Sequence, residues 1–339
     1  MKPLVKINLQ HHTCIVECGT RPEMTDYLAV GRYQVANRVY NDGLREGGVT
    51  ILSYDKQECT LNVVAAVETS GTLDVKWISL ATDDEWDAPQ QSFLVADATG
   101  GIQLYRFKPF EIQKRIHHQV ASANALILML YIAPTFSTKR VYSSVSDGRI
   151  SVLDLTNDLI PIWSTKAHEY EAWCVSGDGE NLVYSGGDDA MLYGWDLRSG
   201  SSTFRNKSHL MGVTYILPHP SQTHPHILMT GSYDEYLRIF DVRKPSTPLY
   251  EEVLLEGGGV WKLKPNKLEN DTYRVLAACM HAGVTVFDVD SDLNVIKGDQ
   301  VYKGHKSFVY GVDWYGDEGG VSCAFEDNSV HVWTLDREE

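Results

Sequence analysis

Residues 182–196 of the chain read Leu-Val-Tyr-Ser-Gly-Gly-Asp-Asp-Ala-Met-Leu-Tyr-Gly-Trp-Asp. A short apolar run enters a polar turn at Asp188 and Asp189. Apolar side chains at every second position, from Met191 to Trp195, lead out of that turn. Alternation with a period of two is typical of a strand that buries one face, and turn residues between two such runs indicate a hairpin. This stretch therefore predicts two antiparallel strands.

The same hairpin template recurs along the chain. Its seven copies are Tyr27–Asp55, Ser92–Phe107, Arg140–Leu155, Leu182–Asp196, Ile227–Asp241, Val275–Asp288 and Gly320–Leu335. Between successive copies there is room for two more strands, such as Leu61–Thr69 and Leu73–Leu80. Four strands per unit at a period of about 40–50 residues are typical of a β-propeller.

The two ends of the chain predict how the ring closes. The last copy leaves no room for a fourth strand, whereas the N-terminal segment Lys6–Gln10 is strand-like. A strand from the N-terminus can complete the seventh blade, which leaves no open sheet edge at the closure. No helical periodicity and no linker divides the chain. We therefore predict an all-β fold, a single seven-bladed propeller domain spanning residues 1–339, and we expect a monomer.

Composition limits the classes of function. The formal net charge of −15 disfavours nucleic acid as a direct partner, because phosphate binding needs a basic surface. No apolar run reaches the length of a membrane span, and the N-terminus lacks the apolar core of a signal peptide. We expect no membrane association and a cytoplasmic location, with the nucleus as the alternative. The six cysteines lack Cys-x-x-Cys spacing, which predicts buried free thiols, no metal site and no cofactor.

The repeat resembles the WD40 family, in which a His, a Ser or Thr, an Asp and a Trp form a hydrogen-bonded tetrad within a blade. The resemblance implies tetrads in three blades: His168, Ser185, Asp189 and Trp195 in blade four, His209, Thr230, Asp234 and Phe240 in blade five, and His305, Cys323, Asp327 and Trp333 in blade seven. Because a buried carboxylate must be paired, we expect these His and Asp side chains to support the scaffold.

Blade six departs from this template. In the same register Ala277 takes the Ser position, Phe287 takes the Trp position, and His281 takes the place of the tetrad Asp. The preceding loop, Glu256–Trp261, is rich in glycine and has no tetrad His. Two interpretations of His281 compete. It is either a residue of a degenerate repeat that bonds a backbone carbonyl, or a free imidazole near the channel mouth and a candidate general base.

Aromatic and acidic residues occupy equivalent turn positions in several blades. If the blades close as predicted, these side chains converge around one mouth of the channel. The residues expected there are Trp173, Asp188, Tyr233, Trp261, Tyr310 and Glu326. The sequence thus predicts a shallow site with aromatic walls, nearby carboxylates and one unassigned histidine.

Longer motifs resemble the diphthine methyltransferase/methylesterase family of WD40 proteins. They are Ser185–Asp189, His209–Val213, Leu228–Glu235, Gly258–Lys264, Leu276–Gly283 and Val309–Trp314. The most specific combination is Gly-Gly-Val-Trp at 258–261 with Ala-Ala-Cys-Met-His at 277–281. The resemblance spans roughly residues 170–315, whereas the first three blades share mainly the propeller pattern.

The resemblance implies an enzyme, a carboxylic methyl ester hydrolase. The family removes the methyl ester of methylated diphthine, a modified histidine on translation elongation factor 2, and so frees the carboxylate for the final amidation of diphthamide biosynthesis. The implied partner is elongation factor 2. Because the modified side chain carries a quaternary ammonium, an aromatic and acidic mouth suits it through cation–π and Coulomb attraction.

The sequence contains no known catalytic motif of a hydrolase. The chain has neither a Gly-x-Ser-x-Gly elbow nor a His-Glu-x-x-His metal motif. We hypothesise that His281 is the general base, oriented by Asp188 or Glu326. Cys279 is an alternative nucleophile.

The glycine loop before blade six is a candidate oxyanion site. Its backbone amides, including those of Gly258 and Gly259, are candidates to stabilise negative charge on a reacting carbonyl oxygen.

Two functions of other classes compete with the enzyme. Most WD40 propellers bind partners without catalysis, so a non-catalytic interaction scaffold is the first alternative. The second is a ubiquitin-ligase adaptor. Some such adaptors end a blade with Trp-Asp-x-Arg, which Trp195–Arg198 matches and Asp241–Arg243 repeats in part.

Overall fold

The computed structural model describes residues 1–35, 44–80, 90–133, 140–221, 223–316 and 319–336. These residues form seven antiparallel sheets of four strands each. The innermost strands contact one another in sequence around a ring, and the last contacts the first. The predicted all-β, seven-bladed propeller is confirmed.

The strands of the first four blades follow the chain in order. They are β1 (Lys2–Asn8), which belongs to the last blade, then β2 (Thr13–Cys18), β3 (Tyr27–Val35), β4 (Arg45–Asp55) and β5 (Thr60–Thr69); β6 (Thr72–Ile78), β7 (Gln91–Asp97), β8 (Gly101–Lys108) and β9 (Glu111–Gln119); β10 (Ile127–Ile132), β11 (Arg140–Val145), β12 (Arg149–Asp154) and β13 (Ile160–Lys166); β14 (Cys174–Gly177), β15 (Leu182–Gly186), β16 (Leu192–Asp196) and β17 (Ser201–Asn206). One short 3₁₀ helix, Pro22–Met24, lies between β2 and β3.

The strands of the last three blades complete the ring. They are β18 (Val213–Pro218), β19 (Ile227–Ser232), β20 (Tyr236–Asp241) and β21 (Tyr250–Val253); β22 (Lys262–Lys267), β23 (Tyr273–Ala278), β24 (Val284–Val289) and β25 (Val295–Tyr302); β26 (Val309–Tyr315), β27 (Gly319–Ala324) and β28 (Ser329–Thr334). Each of the seven hairpins predicted from the sequence is present.

The N-terminal strand closes the ring, as predicted. Strand β1 pairs antiparallel with β28 and becomes the outer strand of blade seven. The core lies between neighbouring sheets rather than within them. At the closure, for example, Leu28 and Leu52 of blade one pack in one cluster with Val330 of blade seven. Each sheet therefore buries both faces against its neighbours.

Several innermost strands share a local irregularity at their first residues. The pairing register shifts there in β2, β6, β10, β18 and β26. Such a β-bulge bends the strand and changes the direction of its side chains. The bulges therefore lie where these five innermost strands enter the ring, on the face that carries the candidate site.

The tetrad of blade four is confirmed. Nδ1 of His168 lies 2.9 Å from Asp189 Oδ1, and Nε2 of the same ring lies 2.9 Å from Ser185 Oγ. The indole of Trp195 donates to the same hydroxyl at 3.0 Å. Although burial opposes it, the bond from His168 lowers the pKa of Asp189. This network ties the hairpin β15–β16 to the loop before β14.

Blade five forms only half of the predicted tetrad. His209 Nε2 lies 2.9 Å from Thr230 Oγ1, but Asp234 bonds the guanidinium of Arg238 at 3.0 Å instead of the imidazole. Arg238 lies directly opposite Thr230 on the next strand, and its fixed charge and several donors make it the stronger partner for a carboxylate. His209 Nδ1 consequently has no hydrogen-bond partner among the described residues.

Blade seven forms its tetrad with Ser322, and the assignment to Cys323 was wrong by one residue. Ser322 Oγ lies 2.8 Å from His305 Nε2 and accepts from Trp333 Nε1 at 3.1 Å. The spacing from Ser to Asp is five residues here and four in blade four. The hairpin is one residue longer beyond the Ser, since Ser322 pairs with His331, nine positions on, and Ser185 with Tyr193, eight positions on. Successive side chains of a strand face opposite sides, so Cys323 points toward blade one.

Burial keeps three histidines neutral in the folded protein. It lowers the pKa of His209 to about 3, aided by Arg238, and those of His219 and His331 to about 4. The unfolded chain binds these protons below its ordinary pKa of about 6.5, whereas the folded chain does not. We therefore expect stability to fall as the pH drops from about 6.5 to 4, by about 1.4 kcal/mol per pH unit for each such histidine.

Urea unfolding over that pH range, comparing wild type with His209→Asn, tests this expectation. The slope of the unfolding free energy against pH reports how many protons the chain takes up on unfolding, and the variant should take up about one proton fewer. His226 is exposed, so His226→Asn serves as the control and should keep the wild-type slope. An unchanged slope in His209→Asn would contradict the assignment.

The remaining sequence-level expectations concern cysteines and membrane spans. All six cysteines are free, and five of them are buried, which confirms the interpretation as buried thiols. Over the part of the chain that the structure describes, no helix has the length and apolar character needed to cross a membrane.

Candidate functional site

Blade six lacks the tetrad, and the predicted register is confirmed. Ala277 pairs with Thr285, so the turn between β23 and β24 is centred on His281. Ala277 and Phe287 pack in an apolar cluster shared with blade five. Apolar packing thus replaces the polar network, and the position of the tetrad Asp is left to a side chain that faces outward.

Cys279 lies inside that apolar cluster and is fully buried. Burial raises the pKa of its thiol. Because the thiolate is the reactive form of cysteine, this environment disfavours a nucleophilic role. We therefore leave Cys279 out of the functional proposal.

His281 is exposed at the tip of its turn. Its ring lies 3.9 Å from the ring of Phe308, centroid to centroid, and Phe308 stacks in turn on Tyr310 at 5.7 Å. A surface groove next to it is lined by Glu256, Gly257, Lys303 and His305, among others. His281 therefore belongs to the rim of the mouth, two rings away from Trp261.

Four of the predicted aromatic residues do converge. Trp173, Tyr233 and Trp261 contact one another in a triangle, with centroids 5.7–6.0 Å apart. Tyr310 joins the triangle at 4.7 Å from Trp261. Trp173, Trp261 and Tyr310 lie where the innermost strands β14, β22 and β26 begin, and Tyr233 lies just after the end of the second strand β19. In an antiparallel blade the start of the first strand and the end of the second strand lie at the same edge of the sheet. We call these four residues the aromatic cage.

The two predicted carboxylates lie at the edge of the aromatic cage. Asp188 Oδ1 accepts a hydrogen bond from the indole of Trp173 at 2.9 Å, which fixes that ring. Burial, Tyr310 and Asp188 raise the pKa of the Tyr233 hydroxyl, and burial and Glu326 raise that of Tyr310. Negative potential therefore reaches the cage from both sides. Neither carboxylate hydrogen bonds His281 among the described residues, so the predicted orientation of the base is absent from the structure.

A cavity of about 170 Å³ lies beneath the aromatic cage, and we call it the axial cavity. Residues from all seven blades line it, so it sits on the axis of the ring. The lining comprises Cys14, Ile15, Tyr33, Leu73, Asp74, Leu128, Met129, Trp173, Thr214, Tyr215, Tyr233, Trp261, Lys262 and Tyr310. Its volume is close to the about 150 Å³ that holds a benzene-sized ligand in another protein. No group of three or more His, Cys, Asp or Glu side chains within the described ranges could hold a metal ion.

The glycines of the loop before blade six allow close packing. A Cβ on Gly258 would lie 2.1 Å from the carbonyl oxygen of Cys279, and one on Gly259 would lie 3.0 Å from Tyr233 Cα. Neither residue lines the axial cavity. The structure gives these glycines a packing role beside the aromatic cage, and an oxyanion role for their amides stays a prediction.

The floor of the axial cavity meets a buried charge cluster that the sequence interpretation missed. Its members are Glu17, Asp74, Lys76, Lys262, Lys264 and Asp313. Glu17 is the centre, since both of its oxygens accept from lysines, with Lys262 Nζ at 3.1 Å and with Lys76 and Lys264 in close contact. The members come from blades one, two, six and seven, so the cluster joins strands across the channel.

The cluster shifts the pKa values of its members in opposite directions. Burial alone would raise the pKa of Glu17, but the three lysines hold it well below its ordinary range. Burial and the neighbouring Lys76 lower the pKa of Lys262 to about 8, whereas Asp313 and Glu17 raise that of Lys264 despite its burial. Lys262 is thus the lysine of the cluster whose charge is least stabilised, and it is also the one that lines the cavity.

The Asp–Arg pairs that suggested an adaptor have a local role. The guanidinium of Arg198 donates to Asp196 at 2.7 and 3.0 Å, and that of Arg243 donates to Asp241 at 2.6 and 2.9 Å. Each pair stabilises the turn that follows its strand. The Arg side chains are exposed but already paired, which supports a structural interpretation.

Comparisons of sequence and structure with known proteins identify the fold and the family of this chain. Residues 298–334 match the family model described as WD domain, G-beta repeat. A chain in the crystal structure of the mitotic checkpoint complex shares the fold, with a TM-score of 0.70 over 99% of this chain and 92% of that chain, at 15% identity. Diphthine methyltransferase of Homo sapiens is 31% identical, covering 88% of this chain and 69% of that protein. Diphthine methyltransferase of Schizosaccharomyces pombe is 32% identical over 325 residues, 93% of both chains. The chain therefore belongs to the diphthine methyltransferase family.

Proposed function

We propose that this protein hydrolyses the methyl ester of methylated diphthine on translation elongation factor 2, in the cytoplasm. The observation that carries the proposal is the aromatic cage above the axial cavity. Trp, Tyr and Phe faces attract a quaternary ammonium by about 0.5–2 kcal/mol per good contact. The carboxylates of Asp188 and Glu326 add Coulomb attraction at the edge. Membership of the family favours this enzyme over the scaffold and adaptor alternatives.

The reaction needs a base for water and an acid for the leaving methanol. In the proposed path His281 accepts a proton from water as the water oxygen attacks the ester carbonyl. The tetrahedral intermediate then expels methoxide, which takes that proton and leaves as methanol. Because His281 sits two rings from Trp261, the ester must extend from the cage toward blades six and seven.

The decisive experiment separates a hydrolase from a methyl transferase. Purified protein is incubated with elongation factor 2 carrying methylated diphthine, without any methyl donor, and methanol release is measured. A hydrolase releases methanol and leaves a free carboxylate, detected as the loss of one methyl group by mass spectrometry. Absence of methanol, together with methyl transfer from added S-adenosylmethionine to unmethylated substrate, would overturn the proposal.

Trp261→Ala is expected to weaken tetramethylammonium binding by about tenfold or more, since it removes the ring that contacts the other three members of the cage. Calorimetric titration measures the effect, and Trp261→Phe should restore part of the affinity. Trp163 is a half-buried indole on the outer strand β13, so Trp163→Ala is the matched control and should bind normally. Equal affinity of Trp261→Ala and wild type would argue against the cage.

The face around the cage also suits a protein substrate. Leu210 and Met211, in the loop between β17 and β18, are 77% and 54% exposed, and Tyr170 near Trp173 is 56% exposed. The same loop reaches the cage, because Gly212 lies against Asp188 and Tyr233. Exposed apolar side chains beside a site favour contact with a macromolecule.

Leu210→Asp is expected to raise KM for modified elongation factor 2 about tenfold while leaving tetramethylammonium affinity unchanged. Phe110 provides the matched control, because it is 79% exposed in the β8–β9 turn on the opposite face of the ring. Phe110→Asp should leave both quantities at wild-type values. The same KM for all three proteins would exclude this rim as the docking surface.

A further inference from the structure

We propose that Lys262 makes the axial cavity a receptor for zwitterions, in which the aromatic cage holds a quaternary ammonium and the Lys262 ammonium binds the carboxyl oxygen of the same molecule. The inference rests on the proposed function for the identity of the natural ligand. It adds a residue that binds the carboxylate of the product after the ester has been cleaved.

Lys262 has donors to spare. An ammonium carries three N–H donors. Among the residues that the structure describes, Lys262 Nζ forms one hydrogen bond, to Glu17 Oε1 at 3.1 Å. Asp74 Oδ1 lies 3.9 Å away, beyond hydrogen-bond distance. The residue is 5% exposed and lines the axial cavity, so a ligand oxygen in the cavity would be a natural further acceptor.

Each of the other two lysines of the cluster is paired with a second carboxylate. Lys76 bonds Glu17 and also Asp74, at 3.3 Å. Lys264 bonds Glu17 and pairs with Asp313 at 3.4 Å. Neither lines the axial cavity. Lys262 is thus the lysine of the cluster that combines free donors with access to the cavity.

The position of Lys262 along the chain fits the two ends of such a ligand. It directly follows Trp261, a member of the cage, where β22 enters the ring. Lys262 therefore lies one residue deeper in the channel than the ring that holds the cation. The carboxylate of Asp74, the anionic side chain in the lining, already accepts from the backbone amides of Val75 and Leu130 at 3.0 and 2.8 Å. Its oxygens are occupied, so the cavity floor offers a donor to the ligand.

A cation at this place suits the product of the reaction. Hydrolysis turns the neutral ester into a carboxylate, which an ammonium attracts by charge as well as by hydrogen bonding. Lys262 would hold that carboxylate in the axial cavity until the product leaves.

Small probes test the inference without any enzymatic assay. Tetramethylammonium carries the cation alone, and glycine betaine carries a trimethylammonium and a carboxylate. Calorimetry should show that wild type binds betaine at least about tenfold more tightly than tetramethylammonium, as expected of a charged hydrogen bond. Lys262→Met should lose this preference and keep its tetramethylammonium affinity. Lys114→Met, at an exposed lysine on the outer strand β9, should behave as wild type.

The outcomes separate this inference from the proposed function. Equal binding of the two probes by wild type would overturn the role of Lys262 while leaving the cage intact, and this comparison holds even if Lys262→Met fails to fold. Binding of neither probe would overturn the receptor altogether. Failure of wild type to release methanol would instead contradict the proposed hydrolase and leave a positive probe result standing.

Discussion

His281→Ala is expected to lower kcat for methyl-ester hydrolysis by about 100-fold or more, with tetramethylammonium affinity unchanged. Removing a general base costs typically about two to four powers of ten in rate. His281 contacts Phe308 but none of the four cage residues directly, so the loss should appear in the chemical step rather than in binding. Steady-state kinetics of methanol release, combined with calorimetry on the same preparations, measures both quantities.

Two controls decide what a loss of activity means. His226→Ala removes an exposed histidine at the end of a different blade and should leave kcat unchanged. Phe308→Leu keeps an apolar contact beneath His281 and should retain most of the activity. If His281→Ala weakened tetramethylammonium binding as much as it lowered kcat, the residue would only support the cage through Phe308. Full activity in the folded variant would remove His281 from the reaction.

The prediction for His281 depended on a register that local sequence defines well. Side chains of a strand alternate strictly, so the hairpin of blade four located the equivalent positions in blade six. Ala277, His281 and Phe287 lie where that register placed them. The same counting failed at Cys323, because the hairpin of blade seven has one more residue between the Ser and its cross-strand partner, and a shift of one residue moves a side chain to the other face of its strand.

Other features could not be read from local pattern. Asp234 pairs with Arg238 rather than with His209, because Arg238 lies on the adjacent strand opposite Thr230. The tetrad template does not include a residue at that position. The charge cluster joins residues far apart in the chain, such as Glu17 and Lys262, 245 positions apart. Its signal was present as charges at alternate positions of innermost strands, in Asp74-Val75-Lys76 and Lys262-Leu263-Lys264. Only the closed ring shows that these charges meet.

Glu17→Gln is expected to lower the free energy of unfolding by about 3–5 kcal/mol. The substitution keeps the size of the side chain but removes the negative charge that three buried lysines share. Removing one partner of a buried ion pair leaves an uncompensated buried charge, and this is the costly case. The midpoint of urea unfolding at pH 7 measures the loss.

A surface pair supplies the matched control. Glu111 pairs with Lys108 at 2.7 Å, and the two side chains are 57% and 49% exposed, so Glu111→Gln should change stability by less than about 1 kcal/mol. A double variant tests whether the loss comes from the unpaired charge. Glu17→Gln combined with Lys262→Met removes one ammonium together with the carboxylate, so it should be more stable than the sum of the two single losses predicts.

The sign of the pH dependence provides the last check on the Glu17 cluster. The pKa of Glu17 is lowered in the folded protein, so its stabilisation is complete above the unfolded value of about 4.3 and is lost as the pH falls below it. The histidine-dependent loss between about pH 6.5 and 4 should therefore persist in Glu17→Gln, whereas the steeper loss below that window should be reduced. A Glu17→Gln variant as stable as Glu111→Gln at pH 7 would show that the cluster contributes little net stability. In that case Lys262 would serve ligand binding at the cavity floor rather than the stability of the ring.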